Sequence, residues 1–182
     1  MVEEVKEKIR NQQLEKYWYA VYTKPRSEKQ VFMRLSEKGI DAYLPLQKTL
    51  KQWSDRKKLV EVPLLSSYVF VYINPRFYDA VLKTPGLVKF ICFEGRAVAI
   101  PQKQIDILKL IIESNAEVEI TNEQFSPGQQ VEVTFGALKG LRGELLKPGV
   151  KHRFLVRIDA INQNIMLNIP ENYLQRVASL SA

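Results

Sequence analysis

The 182-residue chain has a single cysteine and a single histidine, and these two scarcities remove most catalytic chemistry at the outset. A lone thiol cannot close a disulfide within the chain. Cys92 stands in an apolar run with Phe90, Ile91 and Phe93, so it reads as a core residue suited to a reducing compartment. His152, between Lys151 and Arg153, lies far along the chain from Cys92, which supports neither a Cys/His pair nor a zinc cluster; it reads as a solvated turn residue. No uninterrupted apolar run approaches the length that spans a bilayer. The amino terminus, MVEEVKEKIRNQQLEK, balances acids with bases and lacks the apolar centre of a secretory signal. The glycines of GALKGLRG miss the Gly-Lys-Ser/Thr ending of a phosphate loop, and no Asp or Glu sits in an acid–base motif. These absences predict a cytoplasmic monomer that is not an enzyme, holds no metal or cofactor and has no membrane partner.

What the chain does have is basic charge and enough apolar residues for real cores. The formal net charge is +7 and 46% of residues are hydrophobic, which favours a globular protein with an anionic partner. The excess is concentrated early: Tyr17 to Val60 carries ten Lys or Arg against four Asp or Glu, while Glu61 to Ile120 carries six against seven.

Residues 1–16 read as a flexible segment, and order is expected to begin with the strand YWYAVYT at Tyr17. Ser27 with Gln30 has capping-box spacing, Val31, Phe32 and Leu35 form an apolar stripe, and Gly39 stands at a C-cap, which predicts a helix over Ser27–Lys38. AYLPLQKTL and RKKLVEV read as strands joined through Gln52 to Asp55, and SYVFVYI is apolar enough for the middle of a sheet. A short helix between Pro75 and Thr84, a strand VKFICF, a turn at Glu94 and Gly95, and AVAI follow. The last helix starts near Pro101 and is expected to pack on the sheet through Ile105, Leu108 and Ile112.

The polar stretch 116–124, AEVEITNEQ, reads as a linker between domains 17–115 and 125–182. Beyond it, FSPGQQVEVTFGALKGLRGELL places Val131, Val133 and Phe135 on one face of a strand. Gly136, Gly140 and Gly143 then suit a turn delivering Leu141 to a second strand. FLVRID, IMLNI and YLQRV are further strands, and Pro127, Pro148 and Pro170 with five glycines from Gly128 to Gly149 disfavour helix. The predicted class is an α+β domain followed by a small all-β domain.

Two groups of residues suit nucleic acid. Lys24, Arg26 and Lys29 stand at the start of the first helix, where backbone N–H groups also favour anions. Lys48, Lys51, Arg56, Lys57 and Lys58 flank Trp53 in the strand pair, a composition that tracks a single-stranded backbone and stacks on a base; it equally suits a solvated ribbon whose lysines discourage edge pairing. In SYVFVYI the alternation of aromatic and valine residues is similar to the RNA-binding strand of an RRM. Ser66 and Ser67 stand where its Gly-rich opening belongs, so Tyr68, Phe70 and Tyr72 suit a protein partner or the core as well as a base.

Taken together and in this order, WYAVYTKPRSEK, PLLSSYVFVYI and FSPGQQVEVTFGALKGLRGELL resemble the NusG family of transcription elongation factors over Tyr17 to Val177. The basic hairpin KQWSDRKKLVEVPL resembles specialised paralogues of the RfaH and UpxY type, which act as antiterminators on selected operons. The resemblance implies an NGN-type sheet with flanking helices that binds the clamp helices of RNA polymerase, followed by an SH3-like KOW barrel. It implies polymerase contacts at Tyr22, Leu65, Tyr68 and Phe70. Lys24, Arg26, Lys29 and Gln30 would meet the non-template DNA strand, and Trp53, Arg56, Lys57 and Lys58 DNA or nascent RNA. Leu138 and Ile161 would meet a small-subunit ribosomal protein or a termination factor. The alternative is a free-standing RNA-binding or ribosome-associated protein using the same basic clusters.

Overall fold

The computed structural model describes residues 15–52, 57–126, 128–146 and 153–177. The chain divides into two compact units. One holds the chain through Leu46 together with Glu61–Gln102; the other holds Gln47–Val60 and the chain from Lys103 onward.

The first unit opens with β1 (Tyr17–Thr23), α1 (Glu28–Glu37) and β2 (Asp41–Tyr43); β3 (Leu46–Gln52) and β4 (Lys57–Pro63) then form a two-stranded ribbon, most of which, Gln47–Val60, belongs to the second unit. Next come β5 (Tyr68–Ile73), a 3-10 turn leading into α2 (Tyr78–Leu82), β6 (Leu87–Phe90), and the short strands β7 (Cys92–Phe93), β8 (Arg96–Ala97) and β9 (Ala99–Ile100). The antiparallel sheet runs β2-β5-β1-β6, with β9 also paired to β1, so SYVFVYI does lie inside a sheet.

Strand alternation sorts the sheet's faces. Tyr19 opposite Val71 and Val21 opposite Val69 point to one side, where they form a core with Val31, Leu35, Ile40, Val81 and Phe90. Tyr19 meets Tyr78 edge-on at 5.1 Å, and burial pushes the Tyr78 phenol far above its ordinary value. Trp18, Ala20 and Tyr22 face the other way, opposite Tyr72, Phe70 and Tyr68.

The two ends of α1 differ from each other in how well the sequence foretold them. At its carboxy end Gly39, at φ +70°, allows the Gly39 N–H to reach Ser36 O (2.9 Å) and the Ile40 N–H to reach Leu35 O (3.0 Å), a Schellman closure with Leu35 and Ile40 both in the core. At its amino end the expected capping box is not made: the Ser27 side chain caps nothing. The Glu94–Gly95 turn joins β7 to β8 with both residues at positive φ, 49° and 77°, as a two-residue hairpin of this kind demands. Cys92 on that hairpin is exposed, not core. The two-residue strand around it places its side chain outside the apolar layer that the neighbouring residues suggested.

The second unit includes α3 (Gln102–Ser114) from Lys103, whose buried side chains are Ile105, Leu108 and Ile111. Ile112, expected on that stripe, is only half-buried. It continues with β10 (Val118–Thr121), β11 (Gln129–Val133), β12 (Arg142–Leu145), β13 (Arg153–Ile158), β14 (Gln163–Asn168) and β15 (Leu174–Arg176), paired in the order β10-β14-β13-β12-β11-β15. Part of the stretch read as a linker is therefore strand β10, held against β14. Val118 and Ile120 alternate with Glu117 and Glu119, but a strand of only four residues is too short a run to stand out from the polar stretch around it. The core of this sheet includes Val131, Val133, Leu141, Phe154, Leu155, Ile158, Ile165 and Leu167.

Phe135 does not join Val131 and Val133. The Gly140 N–H bonds Val133 O at 2.7 Å and the Val133 N–H bonds Leu141 O at 2.9 Å, so pairing closes at Val133 and Phe135 falls in the connecting loop, 63% exposed, its ring tilted against that of Tyr173 with centroids 5.1 Å apart. Gly136 and Gly140 take positive φ, 82° and 87°, as the turn requires. Gly143 does something else: it lies within β12, and a Cβ there would stand 2.5 Å from Leu155 O and 2.6 Å from the Phe154 ring.

Beside it, Glu144 and Arg157 make a two-point ion pair, Nε to Oε1 at 2.8 Å and Nη2 to Oε2 at 3.0 Å, and Glu144 Oε2 also accepts from the Gly128 N–H at 2.9 Å. The Arg157 hydrogen bonds hold the Glu144 carboxyl below its ordinary value of 4.5 despite opposing desolvation. A depressed folded-state value gives stability that is present above the unfolded value and lost as pH falls through the folded one. Glu144→Gln is therefore expected to cost about 1–3 kcal/mol at neutral pH and to shrink the acid-side loss of stability below about pH 4.5. Denaturant unfolding of both proteins across pH 3–7 checks it; parallel curves for the two would contradict the assignment.

Candidate functional site

Tyr22, Tyr68, Lys24 and Arg26 stand where β1 hands over to α1. At the end of β1, Tyr22 stands opposite Tyr68 of β5, with ring centroids 5.5 Å apart and edge to face. Both are half-buried. Burial first, and the neighbouring Tyr22 second, raise the Tyr68 phenol above its ordinary value, so it is a neutral hydroxyl throughout the physiological range.

Immediately after β1 the chain turns through Lys24, Pro25, Arg26 and Ser27, closed by the Ser27 N–H on Lys24 O at 3.1 Å, with Arg26 at φ +64°. Proline second and positive φ third is a type II turn, in which glycine is the comfortable third residue. An arginine held there is strained, and its side chain is exposed beside those of Lys24 and Gln30. Lys29 is exposed too, but its Nζ donates to Glu61 O at 2.8 Å, which fastens α1 to the base of β4.

The turn from Leu64 to Ser67 packs against this segment. The Leu64 N–H bonds Pro45 O and the Thr23 N–H bonds Ser67 O, each at 2.8 Å, while the Lys24 N–H bonds Gly86 O at 2.8 Å. Ser67 sits at φ +66°, and its N–H donates to Glu28 Oε1 at 2.7 Å inside the structure. The first turn of α1 therefore carries a carboxylate of its own, committed to the Ser67 N–H. The exposed cations beside it are Lys24 and Arg26. Ser67→Gly is expected to raise stability by about 1 kcal/mol, because it removes a Cβ from a left-handed position. A chemical denaturation midpoint that moves down would mean that the serine side chain contributes more than the strain costs.

Two of the four expected protein contacts are out of reach. Leu65 is 1% and Phe70 0% exposed, so neither offers surface to a partner in this structure. The sequence left Tyr68, Phe70 and Tyr72 open between a partner and the core; they share a face of β5, but that face is not equally covered along its length.

On the ribbon, Lys57 and Lys58 are exposed, whereas Trp53 and Arg56 lie outside the described residues. His152 does so as well. Leu50 and Leu59 are 60% and 58% exposed on the same ribbon. Sequence reasoning passed over them because a leucine in a strand pattern is ordinarily assigned to a core. In the second unit Leu138 is half-buried and Ile161 only 4% exposed, so Ile161 cannot serve as a loop contact as it stands. Phe135, in the same loop as Leu138, is the exposed apolar side chain there. Among the described residues no group of His, Cys, Asp and Glu is placed to hold a metal, and no helix is long and apolar enough to cross a membrane.

The family model described as transcription termination factor nusG matches residues 16–109, the stretch that contains the Tyr22–Tyr68 pair and both basic groups. The chain belongs to the NusG family. NusG-family proteins are transcription factors without enzymatic activity. Among solved structures, one described as domain interaction in Thermotoga maritima NusG is similar at 18% identity, with 90% of this chain and 98% of that one covered and a TM-score of 0.49. Two conformations of an MjSpt4:Spt5 complex also match. Conformation B has 18% identity, 91% and 99% coverage and a TM-score of 0.31; conformation A has 17%, 88% and 97%, and 0.30.

Proposed function

We propose that this NusG-family chain is a specialised antiterminator of the RfaH and UpxY type, which binds the clamp helices of RNA polymerase through its first unit and suppresses pausing or termination on selected operons. The observation that carries this reading is the half-buried Tyr22–Tyr68 pair standing beside exposed Lys24 and Arg26. Tyrosine edges that are apolar on one side and polar at the tip are the residues most often found at the energetic centre of protein interfaces. A strained, exposed arginine on the adjoining turn is suited to nucleic acid.

On this reading Tyr22 and Tyr68 touch polymerase, while Leu65 and Phe70 stay buried. Lys24, Arg26 and Gln30 face the non-template DNA strand, joined by Lys29 when it leaves Glu61. Trp53, Arg56, Lys57 and Lys58 form a second basic group that meets DNA or nascent RNA. No bond is made or broken: binding that is tighter to the moving complex than to the paused one shifts the balance between them. The six-stranded sheet of the second unit acts as the KOW module, an SH3-like barrel. Phe135 with Leu138 there engages a small-subunit ribosomal protein or a termination factor, with Ile161 of the β13–β14 turn reaching that partner only if it leaves its buried position. The factor works as a monomer in the cytoplasm.

Salt separates this from a free-standing RNA-binding protein. An apolar contact to polymerase loses little affinity between low and moderate salt, whereas a single-strand binder loses affinity with a log–log slope of about 0.7 per phosphate neutralised. Affinity for core polymerase is expected to change less than about tenfold between 50 and 200 mM salt. Steep loss, together with tight sequence-blind RNA binding when polymerase is absent, would replace the proposal with the RNA-binding reading.

A further inference from the structure

We infer that Glu28 is a positioning residue that locks the turn presenting Tyr68 to the turn presenting Arg26, so that the protein-binding and nucleic-acid-binding surfaces are set by one buried hydrogen bond. The inference rests on the reading of those two surfaces given above. Glu28 and Ser67 are each 6% exposed, and Glu28 Oε1 accepts the Ser67 N–H at 2.7 Å. The other side of the same serine is held as well, since Ser67 O accepts from the Thr23 N–H at 2.8 Å. Thr23 leads directly into Lys24 and Arg26, and Ser67 directly into Tyr68. The β1–α1 segment thus grips Ser67 from two directions and spans the basic turn between its two grips.

Burying a carboxylate is costly unless its position offsets the desolvation. Glu28 is the first residue of α1, where the helix dipole favours negative charge, and its bond to a backbone N–H is of the strong charge-assisted kind. A carboxylate is thereby committed to a single serine amide, and that serine has a backbone, φ +66°, which a residue with a Cβ keeps only when its surroundings impose it. Without Glu28 the Leu65–Ser67 turn is free to relax toward ordinary φ. Tyr68 then shifts against Tyr22, and the strain-bearing turn at Arg26 loses the neighbour that fixes its far end.

The test uses the full chain with three substitutions, Glu28→Ala, Glu28→Gln and Glu28→Asp. Each is measured for binding to core RNA polymerase, for binding to a single-stranded DNA oligonucleotide without polymerase, and for amide exchange at Ser67. In Glu28→Ala both affinities are expected to fall, polymerase binding by about tenfold or more, and Ser67 exchange to accelerate by a comparable factor. Glu28→Gln keeps an oxygen that accepts the N–H and should remain within about threefold of the original in all three measurements. Glu28→Asp keeps the charge but withdraws it by one methylene, and should resemble Glu28→Ala. A merely structural role would not be rescued selectively by glutamine over aspartate. If Glu28→Ala does not fold, the glutamine–aspartate contrast decides.

The inference is overturned if Glu28→Ala folds and binds polymerase as tightly as the original, or if glutamine is as damaging as aspartate. If Tyr68→Ala weakens polymerase binding while Glu28→Ala does not, only the positioning role falls. If the unaltered chain does not bind polymerase, both the role and the functional reading fall.

Discussion

Replacing Tyr68 with alanine is expected to weaken binding to RNA polymerase by about 2 kcal/mol, roughly thirtyfold in Kd, with little loss of folding stability. Tyr68 is half-buried at the start of β5, and its ring rests on Tyr22 rather than inside the core formed by Tyr19, Val21, Val69 and Val71. Truncation should therefore remove contact area without opening an interior cavity. Tyr68→Phe keeps the ring and its edge contact with Tyr22, and should lose less than about tenfold. Leu65→Asp is a poor substitute for this experiment: Leu65 is 1% exposed, and a buried unpaired carboxylate would unfold the turn whether or not polymerase is touched. Titration of core polymerase with the three proteins, alongside far-ultraviolet circular dichroism, checks the prediction. Unchanged affinity in Tyr68→Ala would remove this tyrosine from the contact surface.

The largest expected effect on stability lies in the second unit. Gly143→Ala should cost about 2–3 kcal/mol, because a Cβ at that position would stand 2.5 Å from Leu155 O and 2.6 Å from the Phe154 ring. Phe154 and Leu155 are both fully buried, and neither a strand carbonyl nor a core ring can withdraw cheaply. Gly136→Ala offers a control of a different kind. It has open space around its Cβ position and only the penalty of its φ of +82°, about 1 kcal/mol. Equilibrium urea unfolding should rank the two in that order, and the reverse order would mean that β12 lies further from β13 than described.

These two sites also show what a sequence can and cannot carry. Gly39, Gly95, Gly136 and Gly140 were legible because the need for positive φ is local: the residues on either side dictate it. Gly143 was read as the third glycine of the turn with Gly136 and Gly140, yet its role is set by Phe154 and Leu155, which arrive from a separate strand and leave no mark on the sequence around it. The aromatic strands behave alike. Alternation groups Tyr68, Phe70 and Tyr72, but which of them stays at the surface depends on what covers each point of that face.

Phe135 was lost for a neighbouring reason. The period-two pattern continues through it, while the hydrogen bonds that end the hairpin stop at Val133. Cys92 erred in the opposite direction, since apolar neighbours do not bury a residue on a two-residue edge hairpin. Glu28 was invisible altogether. It was counted as one of four acids in a basic stretch, and only the three-dimensional return of Ser67 beside it gives it a task.

The central claim, that this chain acts on a transcribing polymerase through its first unit, is tested most directly by single-round transcription with purified RNA polymerase on a template carrying a pause and a terminator. With the recruiting DNA element of its own operon in the template, the protein should shorten the pause and raise read-through severalfold, and Tyr68→Ala should return both to the level without protein. Pausing and termination that are the same with and without the intact protein, on a template that it demonstrably binds, would contradict the account.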